Sequence, residues 1–210
     1  MHKLERDPAP PTGLANYQHG QHTWGSHIPK LHEREQIWKK LDAMQGKRCA
    51  YCEAAIDKEN RHIEHFRQRS RYPQGTFAWN NLFGSCNRKN TCGDHKDRCG
   101  DYDYRDLIKP DIEDPEHYLL FSSTGTVSAR NNLDAAERHR ADQTLRILNL
   151  NGPLRQIRHS ELAGYVQTAE EFARMAQEFA PSEWLPLLLE ELNTVEALPY
   201  ATAIRHILTG

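Results

Sequence analysis

All five cysteines of this 210-residue chain lie between Cys49 and Cys99, and the rest of the chain has none. A disulfide framework is spread through a small secreted domain and uses its cysteines in pairs. An odd, clustered set in a chain with no apolar leader fits metal binding better. The N-terminus, MHKLERDPAPPTGL, has no apolar run after its basic residues, and no stretch approaches the 18 or so apolar residues of a membrane span. A cytoplasmic protein is expected.

Cys49-Ala50-Tyr51-Cys52 is a CxxC knuckle, and Cys86 and Cys92 follow in SCNRKNTCG. Four thiolates can enclose one Zn²⁺ at about 2.3 Å, and close spacing lets one turn supply two of them. The first pair has that spacing. The second has five intervening residues, which leaves Cys99 as a competing fourth ligand. The segment around these cysteines is polar and loop-rich, with short strands at best. Zinc can supply about 10 kcal/mol of folding energy to a segment that has too little apolar surface to fold by itself.

Charge is unevenly placed. Residues 1–46 carry 6 Lys/Arg against 5 Asp/Glu, residues 47–109 carry 13 against 9, and residues 110–210 carry 8 against 15. The overall −2 excludes a nucleic-acid coat protein, whose whole surface would be basic. A local basic site suits an enzyme that touches a few phosphates.

Three segments are expected. Residues 1–46 form an extended proline-rich arm and a helix over Leu31–Gln45, with a stripe of Leu31, Ile37, Trp38 and Leu41 and a stop at Gly46. Residues 47–109 form the cysteine-bound core. Residues 110–210 become helical from Asp134, with a break at Asn151-Gly152-Pro153. A long helix then runs over about Leu154–Phe179, with two more over Pro181–Asn193 and Glu196–Leu208. The expected class is α+β and mainly α. The acidic helices either complete the fold or dock a partner.

Between the cysteine pairs stand His62-Ile63-Glu64-His65-Phe66-Arg67 and Trp79-Asn80-Asn81-Leu82, followed by Cys92-Gly93-Asp94-His95-Lys96. An imidazole titrates near neutral pH, so His65 can serve as a general base. Glu64 beside it can hold a hard cation. His62 reads as a strand neighbour. Arg67 and Arg69 are candidate phosphate contacts, and a plain solvated face accounts for them equally well.

This order of residues resembles the HNH nuclease family, whose finger of two strands and a helix surrounds one catalytic metal. The resemblance implies a ββα-metal fold stapled by zinc on Cys49, Cys52, Cys86 and Cys92. It implies that His65 is the base, that Asn81 holds the loop that orients it, and that Glu64 and His95 bind Mg²⁺ or Mn²⁺. One position departs: where the family's terminal residue directly follows the fourth cysteine, this chain has Gly93, and Asn87 is an alternative to His95. CAYCE, IEHFRQRSRYP, FAWNNLFGSC, CGDHKDR and RADQTLRILNLN narrow the resemblance to the HNH subunits of Septu-type and retron-associated anti-phage defence. That branch implies an ABC/SMC-type ATPase partner (Ptu A-like). In retron versions it implies a reverse transcriptase and its RNA–DNA product. The substrate it implies is nucleic acid, DNA or, as in some retron-associated relatives, tRNA.

Overall fold

A computed structural model describes residues 1–210. The main helix of the N-terminal segment, α1 (Leu31–Gln45), ends where Gly46 turns into the left-handed region at φ 58°. Ile37 and Leu41 are buried, but Leu31, expected in the same stripe, is 76% exposed. The buried line of α1 runs through Glu33, Ile37, Leu41 and Gln45, and Leu31 lies off it, on the exposed side with Glu35.

Two short strands follow, β1 (Arg61–His65) and β2 (Leu82–Cys86), paired antiparallel with His62 opposite Ser85 and Glu64 opposite Phe83. The helix α1 lies on β2 because Gly84 has no side chain. A Cβ there would stand 2.9 Å from Trp38. Gln45 uses the close approach, donating from Nε2 to the Gly84 carbonyl and accepting the Gly84 N–H on Oε1, each at 2.8 Å. The five-residue helix α2 (Cys92–Lys96) completes a strand–strand–helix unit.

The proline-rich segment is irregular except for a 3₁₀ turn at Thr12–Asn16. It packs against the body of the protein. Leu14 and Tyr17 join Ile37, Leu41, Phe77, Trp79 and Leu82 in a small cluster. Arg6 donates to the carbonyls of Trp79 and Leu82, both at 2.9 Å.

Beyond the finger, a short helix α3 (Pro115–Tyr118) leads into a hairpin of β3 (Leu119–Phe121) and β4 (Val127–Ala129). Its turn requires Gly125 at φ 75°, where a Cβ would meet the Arg155 carbonyl at 2.2 Å. Four helices end the chain: α4 (Ala135–Ile147), α5 (Pro153–Glu178), α6 (Pro181–Val195) and α7 (Ala201–Thr209). Asp134 and Glu137 form a capping box at the start of α4, and Pro153 opens α5 after the expected break. The last helix begins at Ala201, after a turn through Tyr200 at φ 60°, and so starts later than the sequence suggests. None of the helices is long and apolar enough to cross a membrane.

One core of 29 buried residues runs through all three segments, from Met1 and Leu4 through Cys49, Phe66 and Phe83 to Leu154, Ile204 and Leu208. Arg158 crosses it, 1% exposed, donating to the carbonyls of Gly125 and Leu150. Glu116 joins α3 to α7, accepting from His206 Nε2 at 3.1 Å and from Arg205. Burial raises the Glu116 pKa, and those two partners outweigh burial and hold it down at about 2. A carboxylate depressed in the folded state stabilises above its unfolded value near 4.3 and loses that contribution as pH falls toward 2. Glu116→Gln is therefore expected to be less stable than the parent at pH 7, and the gap should close between about pH 4 and pH 2. Denaturant melts across that range check it; a constant gap contradicts the account.

Candidate metal centre and active site

The knuckle residues Cys49 and Cys52, the end of β2 at Cys86 and the start of α2 at Cys92 converge in the core. All four are buried, and their sulfur atoms lie within 4.8 Å of one another. A tetrahedron with zinc–sulfur bonds of about 2.3 Å has edges of about 3.8 Å; Cys52 Sγ and Cys86 Sγ are 3.9 Å apart. The donor set and spacing fit a zinc ion, so the cluster could hold one. Cys99 stands outside it, its thiol donating to the Lys96 carbonyl at 3.3 Å. Cys92 is therefore the fourth member, and the wide spacing is accommodated because Asn90 and Cys92 both take positive φ, at 60° and 51°. The knuckle is held from the far end of the chain as well. Glu53, also at positive φ, accepts from Thr202 N at 3.0 Å and Thr202 Oγ1 at 2.6 Å.

Beside this cluster, β1 places His62 and Glu64 on one face and Arg61, Ile63 and His65 on the other. Glu64 is 2% exposed; its Oε2 lies 3.2 Å from His62 Nε2 and its Oε1 lies 2.7 Å from Lys96 Nζ. The ammonium contact is a charge pair that leaves Oε1 without an aligned hydrogen-bond donor. Burial raises the Glu64 pKa, but Lys96 and His62 outweigh it and hold the carboxyl at about 2, so it is ionised. Across from the pair is Gly93. A Cβ there would stand 2.3 Å from Glu64 Oε2 and 3.0 Å from His62 Nε2.

His65 turns to the other side of the strand. Its Nε2–H donates to the Thr76 carbonyl at 2.9 Å, which leaves Nδ1 as the lone-pair nitrogen. Burial lowers its pKa to about 4, so the ring is neutral at neutral pH. Trp24 lies against it at 4.5 Å between ring centroids, nearly perpendicular. Arg69 donates to the Trp24 carbonyl at 3.1 Å. Asn81 does not touch His65. It clamps the loop on which the Thr76 carbonyl stands, accepting from Arg67 N at 2.7 Å and donating to the carbonyls of Arg67 and Gly75 at 3.2 and 3.0 Å.

The structure brings Glu64, His65 and Asn81 together around the end of β1. It places His95 elsewhere: its Nδ1–H donates to the Ile147 carbonyl at 2.8 Å, beside Cys92 N donating to the Leu148 carbonyl. These are open carbonyls at the C-terminal end of α4. In a helix, residues 93 and 96 share a face and residue 95 does not, so His95 faces α4 while Gly93 and Lys96 face Glu64. Asn87 is exposed and donates to the Glu59 carbonyl at 3.1 Å. Arg67 lies over the Tyr104 ring at 4.6 Å, and Arg69 is exposed beside Trp24. Sequence reasoning missed Lys96 and the close approach of Gly93 to Glu64. A glycine at the head of a five-residue helix facing an acidic strand residue was the available signal.

If the four cysteines hold zinc, purified protein contains about one zinc per chain. Cys92→Ser loses the metal and the cooperative melt, whereas Cys99→Ser keeps both. Elemental analysis with thermal melts checks this; equal zinc in Cys92→Ser counts against the cluster.

No protein-family profile matches the chain. It is similar to the Septu protein PtuB of Bacillus thuringiensis, 26% identical over 166 residues, which covers 77% of this chain and 57% of that protein. It is also similar to the protein named "Retron Vc95 putative HNH endonuclease" of Vibrio cholerae serotype O1 biovar El Tor. That match is 28% identical over 125 residues, covering 56% of this chain and 58% of the relative. The chain thus spans a little over half the length of the curated relatives it matches. By sequence, the chain is a relative of proteins named for Septu and retron systems, one of them as an HNH endonuclease.

Proposed function

We propose that this chain is a metal-dependent endonuclease of the HNH type that hydrolyses phosphodiester bonds in nucleic acid. Its setting is an anti-phage defence complex with an ABC/SMC-type ATPase partner. The observation that carries the reading is the fixed tautomer of His65. A neutral imidazole whose Nε2–H is committed to a backbone carbonyl presents Nδ1 as a proton acceptor, one residue from a buried carboxylate. The similarity to a protein named as an HNH endonuclease supports the same reading, and the similarity to Septu PtuB supports the defence setting.

Hydrolysis of a phosphodiester needs a base for water, a cation for the growing charge and relief for the leaving oxygen. His65 Nδ1 takes the proton from the attacking water. Asn81 keeps the base aimed by fixing the loop on which the Thr76 carbonyl stands. Glu64 fits a hard divalent cation, Mg²⁺ or Mn²⁺: its carboxylate is ionised, and Oε2 is met only by the His62 ring nitrogen. Bound there, such an ion supplies positive charge for the phosphate oxygens and the leaving group. Arg67 and Arg69, in the segment with 13 Lys/Arg against 9 Asp/Glu, contact phosphates flanking the site.

The test is cleavage of phage DNA, plasmid and cellular tRNA in Mg²⁺, with the partner ATPase present. His65→Ala is expected to lower the rate by about 10²–10⁴-fold while zinc content and melting are unchanged. Wild-type cleavage by the variant contradicts the proposal. The three substrates, assayed together, identify the class that is cut.

A further inference from the structure

The structure shows a second donor beside Glu64 that the sequence reading treated as a strand neighbour. His62 Nε2 lies 3.2 Å from Glu64 Oε2, on the same strand face. Two ligand atoms at adjacent corners of an octahedron, each about 2.1 Å from an ion, are about 3 Å apart. Imidazole nitrogen and carboxylate oxygen thus already stand at the separation that one ion requires. Gly93 lets α2 pack directly against the pair, since a Cβ there would stand 2.3 Å from Oε2 and 3.0 Å from Nε2. Lys96 takes the other carboxylate oxygen, Oε1, and leaves Oε2 beside the His62 ring nitrogen. The His62 side chain is 36% exposed and that of Glu64 is 2% exposed, so the pair opens to solvent on the histidine side only. An ion and a phosphate can enter there. His95 has no such placement, since its ring is turned to the end of α4.

We propose that His62 and Glu64 are the two protein ligands of the divalent cation, which reaches them from the solvent side of the histidine, while α2 packs against the pair at Gly93. The proposal rests on the nuclease reading above. It replaces His95 with His62 as the nitrogen ligand and makes the site a two-residue clip on a single strand. One strand then supplies both cation ligands on one face and, at the next position, the base on the other.

Mn²⁺ alone is the probe, added to the full chain with its cysteine site zinc-loaded. Binding is measured by EPR titration, and pulsed EPR reads whether nitrogen is directly coordinated. Wild-type protein is expected to bind one Mn²⁺ with a coordinated nitrogen. His62→Ala should lose that nitrogen signal and weaken binding at least about tenfold, whereas His95→Ala should keep the signal and bind within about twofold of wild type. His62 is partly exposed, so its replacement by alanine leaves the core intact, and a melt of each variant checks this. A nitrogen signal that persists in His62→Ala, or that disappears in His95→Ala, overturns the assignment. Wild-type Mn²⁺ binding by both His62→Ala and Glu64→Gln is a different failure: it removes the cation from β1 altogether and with it the underlying nuclease reading.

Discussion

Four sulfur atoms within 4.8 Å of one another hold this structure in register. They come from a knuckle, a strand end and a helix start, three pieces with few apolar residues between them. Buried thiols packed this closely without a metal gain little from one another, whereas a tetrahedral ion turns the cluster into a rigid cross-link. The strand pair β1–β2 and the helix α2 are short, at five residues each. Elements of that length do not hold together by backbone hydrogen bonds alone. The cysteine cluster fixes where β2 ends and α2 begins, and so determines that Gly93 and Lys96 stand across from Glu64.

The arrangement around β1 follows from alternation along a strand. Residues 62 and 64 face α2 and residue 65 faces the loop that carries Thr76, so the acidic and basic chemistry divide between two sides of one element. Each side has its own environment. The Glu64 side carries an ammonium ion and keeps its carboxyl ionised although it is buried. The His65 side is closed by Trp24 and a carbonyl, and keeps its imidazole neutral. Two groups of opposite protonation preference are thereby held one residue apart, a division of labour that acid–base chemistry at neutral pH requires.

Much of this was legible in the sequence where the signal is local. The CxxC knuckle, the Gly46 stop, the onset of helix at Asp134, and the break at Gly152-Pro153 each act through a few neighbouring residues. They lie where their spacing places them. What escaped depends on distant partners. Leu31 looks like part of an apolar stripe, but the face of α1 that meets the body of the protein runs through Glu33, Ile37, Leu41 and Gln45 and leaves it out. The β3–β4 hairpin was not anticipated; it is stabilised by Asn151, whose side chain pairs with both backbone groups of Val127, and by the end of α7. His95 was expected at the site because of its place in the chain. Its direction is decided by open carbonyls of α4, some 50 residues away, which no motif around it reveals.

The shared core has a consequence for how the molecule can be divided. Glu53, next to the cysteine knuckle, is bonded to Thr202, and Arg48 donates to the carbonyls of Glu196 and Leu198. Residues as far along as Ile204 and Leu208 pack in the same interior as Cys49 and Phe83. The strand–strand–helix unit is therefore not a portable cassette. Excised at the boundaries its motifs suggest, it would lose the wall formed by α5 and α7 and expose the apolar side of its own knuckle to water. The C-terminal helices belong to its foundation, and melting at either end must propagate to the other.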